Sequence, residues 1–494
     1  MLTRFQVNGF KNLVDVDIRF GPFTCIAGAN GTGKSNLFDA IHFLSSLADK
    51  PLLEAATGVR DDQAHTGNIR NLFHRAGDVY DETMRFDVET LVPQEGEDEL
   101  GQKAKATATF LRYVLELRYR EHQSGIGPGG LEIVREELTH FRKSDAHKHL
   151  RFPHEAKTWR NSVLHADIRA VPFISTQRQE ESVFIKLHQD GHGGRPQLRA
   201  ASSLPRTILS FVNATEAPTA TLARTEMLSW RLLQLEPSAL RRPDSFIAPH
   251  ALGSDGSHLA ATLYHLAGPD KDSELASRTY AQIARRLAEL VEDVRDVYVD
   301  RDEKRQLLTL YVTNRDGTSH PAISLSDGTL RFLALAVLEK DPNATGLICL
   351  EEPENGIHPG RIGAMLDLLH DIASNPSEQV DSDNPLRQVI VNTHSPSVVA
   401  QVNHEDLVVA EQREMKRNGH SFMRACFTGL PGTWRTDSPD GRNGIALGQL
   451  LAYLDPLGKA VFLERSGPKG SAHRRRVMDR DDLQPWLPGL RDGQ

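Results

Sequence analysis

The chain reads as an α/β protein with a mainly parallel core sheet, an antiparallel β-subdomain and a helical insertion, and three stretches far apart in sequence predict it. Residues 28–35 (GANGTGKS) sit between a short apolar run and a run with helical spacing. Residues 344–352 are an apolar run ending in two carboxylates, Glu351 and Glu352. Residues 388–393 (QVIVNT) are a third β-rich run, and it ends at His394. Short, almost wholly apolar strands are what a parallel sheet buried on both faces requires.

Taken in order, the first seven residues alternate like a strand and lack the apolar h-region of a signal peptide. Residues 23–27 form a short buried strand, and 36–44 carry apolar residues at helical spacing, so the GANGTGKS segment is the loop of a strand–loop–helix unit. It fits G-x-x-x-x-G-K-[ST] completely. Gly28, Gly31 and Gly33 let backbone N–H groups, with those of Asn30 and Asn36, turn around a triphosphate, and the helix N-terminus adds partial positive charge. Lys34 reaches the β/γ-phosphates and Ser35 ligates Mg²⁺.

The middle of the chain is heterogeneous. Residues 84–92 and 113–120 alternate with period two, and a glycine-rich turn at 124–130 leads into 131–138, a predicted hairpin. Between 141 and 160 stand Arg142, Lys143, Lys148, Arg151, Lys157 and Arg160 with His147, His149 and His154, against only Asp145 and Glu155. That stretch reads either as a track for a phosphate backbone or as a solvated hairpin tip. Residues 227–235 read as a buried amphipathic helix and 280–294 as a second helix, followed by a strand at 307–312. No long heptad array and no internal repeat is visible.

Ser326 and Gly328 stand at the start of the apolar run 330–338. A hydroxyl and free N–H groups at a helix start make a second anion-binding edge. The carboxylates at 351 and 352 close the next strand. Glu351 is suited to a Mg²⁺ shell, and Glu352 to polarising an attacking water as general base. His394, at the end of the third strand, is placed to sense a γ-phosphate.

In this order the motifs resemble an ABC-type ATPase: phosphate loop (Walker A), LSxG-type signature, Walker B with a following glutamate, a D-loop-like turn at 355–359, and a switch histidine. The phrases at 7–13 (VNGFKNL), 351–359 (EEPENGIHP) and 392–396 (NTHSP) are similar to the RecF/SMC-like branch, which includes the ATPase parts of OLD-type and Septu-type phage-defence systems. The resemblance implies an ABC-type head, ATP and Mg²⁺ as ligands, and self-association in which two heads sandwich two nucleotides. Ser326 and Gly328 would then complete the partner's site, while Lys34, Glu352 and His394 carry the reaction. By the same resemblance Lys11 and Asn12 lie near the nucleotide; from the residues alone they are equally a solvated turn before a strand. Two departures imply slow turnover: Asp327 and Thr329 replace the glycine and glutamine of a transporter-type signature, and Glu351 replaces the commoner aspartate. The Q-loop glutamine has no clear place, Gln177 being an available candidate.

The domain plan that follows has the first part of the head at 1–60, a β-rich subdomain and insertion at 61–200, and a helical subdomain at 201–300. The second part of the head occupies 301–430, and a partly flexible extension with basic residues at 473–476 occupies 431–494. With 494 residues, a net charge of −8 and 39% hydrophobic residues, the composition is that of a soluble cytoplasmic enzyme able to bury a sizeable core. No apolar run approaches the ~20 residues of a membrane helix. Three cysteines make no disulfide framework, and Cys25 and Cys349 fall in two of the strands. The histidines show neither H-E-x-x-H nor a Cys/His ligand set. After Val409 no Toprim-like nuclease is legible; Asp479, Asp481 and Asp482 lie in a polar segment, so cleavage of nucleic acid would belong to a separate effector, a nuclease or toxin. Three roles are compatible with these readings: a dimeric sensor or clamp on DNA that regulates an effector in anti-phage defence, a housekeeping repair ATPase of RecF type, and a transporter's nucleotide-binding subunit, against which the long insert and the NTHSP switch argue.

Overall fold

The computed structural model describes residues 1–59, 68–121, 129–166, 171–180, 182–190, 196–268, 273–417, 419–436 and 477. At its centre is a six-stranded sheet ordered Arg231–Leu233, Gly346–Glu351, Arg387–Thr393, Phe23–Ala27, Leu407–Arg417, His420–Gly429. The first five strands run parallel, and the last returns antiparallel as a hairpin. All three sequence-predicted motif strands are therefore adjacent, although more than 300 residues separate the first from the others. Every residue of Phe23–Ala27 and of Arg387–Thr393 is buried, as a sheet covered on both faces demands.

Side-chain alternation divides this sheet between two hydrophobic cores. Ile26, Leu347, Cys349, Ile390 and Val408 face the helix Lys34–Leu47 and, beyond it, an eight-stranded antiparallel sheet containing Leu2–Asn8, Thr83–Leu91, Phe110–Arg120 and Gly130–His140. Cys25, Ala27, Ile348, Leu350, Val389 and Val391 face the other way, onto the helices Asp327–Lys340 and Ile362–Ile372. Both strand cysteines are buried. The period-two runs at 84–92, 113–120 and 131–138 are strands of the antiparallel sheet; most of the intervening turn lies outside the described residues.

Four sequence expectations need correction. Residues 227–235 are not one helix. The helix Pro218–Leu228 starts earlier, on a proline at its first turn, and stops at Ser229; Arg231–Leu233 then extends the core sheet beside Gly346–Glu351. A side chain at 346 would collide with Ser229, so this crossing depends on Gly346. The second helix is Glu274–Ala288, begun by the Ser273 hydroxyl accepting from the Ala276 N–H, and Val294 already opens a strand. The basic stretch at 141–160 is no hairpin tip: it forms two short helices, Ala146–His149 and Trp159–Val163, over a small third core of Phe110, Leu150, Phe152 and Trp159. Among its described residues the span 201–300, expected to be helical, contains three strands as well as four α-helices. The expectations for residues 437–476 and 478–494, including the basic run 473–476 and the aspartates at 479, 481 and 482, fall outside the described residues. The longest described helix has 15 residues, so no long coiled coil occurs among the described residues, and none of their helices is long and apolar enough to cross a membrane.

Candidate nucleotide-binding site

The parallel strands deliver their C-terminal ends to one edge of the sheet, and a cavity of about 360 Å³ opens there. Its wall includes Asn30, Gly31, Gly33, Lys34, Ser35 and Asn36 from the phosphate loop and Glu351 and Glu352 from the next-but-one strand. Gly28 lies behind the loop, where a Cβ would stand 2.5 Å from the Ala410 carbonyl oxygen. Gly33 has φ +105° and packs so closely on Asn12 and Ala425 that a side chain could not be accommodated. The Lys34 ammonium donates to the Gly28 and Ala29 carbonyls at 2.5 and 2.9 Å, curled over the loop whose ligand it would hold. Burial pulls its pKa down from the ordinary lysine value, against the opposing charges of Glu352, Glu351 and Glu354.

Glu352 is held in an unusual conformation. Its φ is +46°, which a non-glycine residue adopts only when its surroundings impose it, and its N–H donates to the Asn392 carbonyl on the adjacent strand. The strained turn aims the carboxylate at His394 Nδ1, 2.6 Å away, while Asn355 Nδ2 donates to the other oxygen at 2.9 Å. Partial burial raises the Glu352 pKa, but the Asn355 and His394 hydrogen bonds and the nearby His394 and Lys34 charges outweigh it, and the net shift is downward. The carboxylate is thus ionised, the state a general base needs. Next to it, Glu354 is buried and accepts from the Thr393 hydroxyl, which in turn accepts from the Ser395 N–H, so the backbone on both sides of His394 is tied down. Burial raises the Glu354 pKa.

Two residues of this site were not found in the sequence. Gln234 follows directly on the misread strand, and its amide donates to the Glu351 carboxylate at 2.9 Å, which Gln177 does not. Gln177 lies instead in Ile174–Gln179 of the antiparallel sheet. Arg331, on the signature helix, donates to the Leu235 and Asn355 carbonyls at 3.0 and 2.9 Å and lines the cavity with Lys34. A signal existed for Arg331: it is the single charge in the apolar run 330–338.

Other expected residues stand apart from the cavity. The Lys11 ammonium pairs with Asp39 at 2.7 Å, and Asn12 Oδ1 accepts from Asn36 Nδ2 at 2.8 Å, so this turn braces the phosphate-loop helix and is not simply solvated. Ser326 caps Asp327–Lys340, accepting from the Thr329 N–H at 3.2 Å, and is exposed. Gly328 is buried: a Cβ there would meet the Gly356 carbonyl oxygen at 2.2 Å, which locks the signature helix to the D-loop-like turn. Neither Ser326 nor Gly328 lines the cavity of its own protomer.

The donor set fits Mg²⁺. A hydroxyl at Ser35, a carboxylate at Glu351 and an amide at Gln234 supply hard oxygen donors, few enough to leave positions for water and phosphate.

Comparison with known proteins agrees with this geometry. Residues 23–178 and 224–400 match the family described as "AAA domain, putative AbiEii toxin, Type IV TA system". Short similarities connect the chain to proteins named DNA replication and repair protein RecF. The one from Porphyromonas gingivalis is 44% identical over 46 residues, 9% of this chain and 13% of that protein. The one from Phocaeicola vulgatus is 36% identical over 72 residues, 14% of this chain and 17% of that protein. The chain thus matches less than a fifth of each of these relatives' length. Among solved structures, an Smc head bound to the C-winged helix domain of ScpA has 15% identity and a TM-score of 0.38, covering 86% of this chain and 97% of that one. An Smc head with an extended coiled coil, bound to the C-terminal domain of ScpA from Pyrococcus furiosus, has 12% identity and a TM-score of 0.39, covering 87% and 96%. At these scores the likeness assigns no role.

Proposed function

The chain belongs to this AAA-domain family, and from that premise we propose that it binds and slowly hydrolyses ATP as a dimer or higher oligomer of RecF/OLD-like heads. The observation that carries the reading is the convergence of Lys34, Ser35, Gln234, Glu351 and Glu352 on one cavity from three separate stretches of chain. In it, Lys34 leaves the loop carbonyls to hold the β/γ-phosphates, and Ser35, Glu351 and Gln234 hold Mg²⁺, which offsets phosphate charge when bound. Glu352 orients and deprotonates the attacking water; His394, hydrogen-bonded to it, reports whether a γ-phosphate is present. Ser326 is exposed at the start of its helix, a position that suits contact with a second head in trans.

The biological role we favour is sensing or clamping of DNA coupled to a separate effector, a nuclease or toxin, in anti-phage defence of the OLD or Septu kind. The toxin-system wording of the matched family supports that choice. A housekeeping RecF-like repair role is equally supported, by the short RecF similarities. A transporter subunit remains the third reading, disfavoured by the altered signature. ATP hydrolysis by purified protein, with Lys34→Ala and Ser326→Arg separately and mixed, tests the proposal. Each variant alone should be inactive, and mixing should restore part of the activity, because one site of the heterodimer is intact. Full activity of Ser326→Arg protein alone would refute the trans arrangement. Duplex and single-strand binding with and without ATP separates the DNA-acting roles from the transporter.

A further inference from the structure

The signature loop carries an electrostatic contradiction. If it receives a γ-phosphate, the residue after Ser326 should not be an acid, yet Asp327 is there with its carboxylate more than half exposed, at the helix end where the phosphate would dock. Alone, Asp327 is an unremarkable first-turn acid, favoured by the helix dipole in the same way an incoming phosphate is. The two anions compete for one electropositive end.

The contradiction is met by Arg241. This residue ends the short helix Pro237–Leu240, and its Nη2 both ion-pairs with Asp327 and donates to the Leu325 carbonyl at 3.0 Å. One guanidinium thus grips the chain on either side of Ser326. The grip also has an origin in the cavity: Gln234, Leu235 and Glu236 line it, and five residues of chain carry the backbone from there to Arg241. We propose that Arg241 is a positioning residue that cancels the Asp327 charge and fixes the signature loop so that Ser326 can accept a partner protomer's γ-phosphate. The proposal rests on the ATP-sandwich reading. It explains how a signature with an acid in its third position remains usable, and it makes Arg241 and Asp327 a coupled pair whose net charge, and not either residue alone, is what the phosphate meets.

The test uses the full chain with Arg241→Gln, Asp327→Asn and the double substitution. Arg241→Gln should lower kcat by about tenfold or more, with ATP affinity at the chain's own phosphate loop, read by a fluorescent ATP analogue at low protein concentration, unchanged. Adding Asp327→Asn to Arg241→Gln should bring kcat back to within about threefold of the starting protein, since the anion that needed cancelling is gone. A double variant as slow as Arg241→Gln, or an Arg241→Gln protein with normal kcat, overturns the proposal. The parent reading is checked separately by sedimentation of Glu352→Gln protein with ATP: without ATP-dependent association the sandwich itself fails, whatever Arg241 does. With association present in Glu352→Gln protein and weakened when Arg241→Gln is added, then restored by Asp327→Asn, the charge-cancelling role stands on a readout that does not need turnover.

Discussion

Two glutamates, one in each large sheet, show how differently the same side chain is used. Glu352 stands where a parallel strand ends, about a third exposed, in a strained turn, and its partners Asn355, His394 and Lys34 hold it ionised against the effect of burial. Glu136 stands mid-strand in the antiparallel sheet, fully buried, accepting the Ile208 and Leu209 N–H groups and the Tyr113 hydroxyl. There burial wins over those hydrogen bonds, and the carboxyl is pushed up to about 7. No cation is among the groups that shift Glu136, whereas cations count among those acting on Glu352. An acid supplied with cations at a strand end is kept charged, as the proposed base must be; one supplied with backbone donors inside a sheet is a structural cross-link between the sheet and the turn at Ile208.

The contrast breaks first at the chemical end. Lys34→Ala removes the cation that offsets β/γ-phosphate charge, and ATPase should fall by about three orders of magnitude or more, together with ATP binding. Glu352→Gln keeps shape and hydrogen-bonding capacity but not the base: ATP should still bind while turnover drops by roughly two orders of magnitude. Normal hydrolysis by Glu352→Gln would reassign the base. Because the Glu352 pKa is lowered, the base-dependent limb of a kcat/KM profile should fall below pH 4.5 for the native protein, with no loss of activity between pH 7 and 5 from this group.

At the structural end the expected signature is in stability. Native Glu136 binds its proton more tightly than the unfolded chain, whose carboxyl titrates near 4.5. Its contribution is therefore fully present below pH 4.5 and is lost as pH rises through about 7, by roughly 3 kcal/mol at most. Glu136→Gln should remove that slope from the urea-unfolding free energy, while leaving one of the Ile208 and Leu209 N–H groups facing an amide NH2 that cannot accept it. ATPase per folded molecule should not change. An identical pH slope in both proteins would show that burial does not govern this carboxyl.

How legible each region was follows from how local its determinants are. The glycine-rich loop 28–35, the strand ending at Glu351 and the strand leading to His394 were readable because glycine positions, a lysine, terminal acids and unbroken apolar runs are written consecutively, and a fully buried parallel strand has to be apolar throughout. The antiparallel strands were readable from alternation. What was not readable depended on neighbours distant in sequence. Residues 231–233 are three residues long, too short for any period, and become a strand only because Gly346–Glu351 offers an edge and Gly346 makes room for Ser229. The basic stretch 141–160 hides its apolar anchors Leu150, Phe152 and Trp159 among charges, and they become a core only against Leu91 and Phe110 at the ends of two strands of the antiparallel sheet. Glu136 looks like any polar residue of an alternating strand; that its carboxylate is enclosed depends on the turn at Ile208, 72 residues away.

The smallest expected effect concerns the two glutamines, and it divides the sheets most finely. Gln234 was missed because its strand was misread, and its side-chain amide donates to Glu351, a metal-holding acid in the proposed reaction. Gln177 sits in the antiparallel sheet paired with Phe184, its side-chain oxygen buried without a protein partner. Gln234→Ala should leave folding untouched, since the residue is a cavity wall and not a core element, and should lower kcat by about tenfold while raising the Mg²⁺ concentration needed for half-maximal rate. Gln177→Ala deletes an unsatisfied polar atom and should leave kcat and the Mg²⁺ requirement where they were, with a stability change within about 1 kcal/mol. If the two substitutions were to exchange effects, the strand end would lose its special standing and the antiparallel sheet would have to be read as part of the nucleotide site. If only Gln234→Ala shifts the Mg²⁺ requirement, then three residues of strand at the sheet's edge suffice to carry a metal-shell residue into place, because a parallel strand's C-terminal end inherits the position of the neighbour it pairs with.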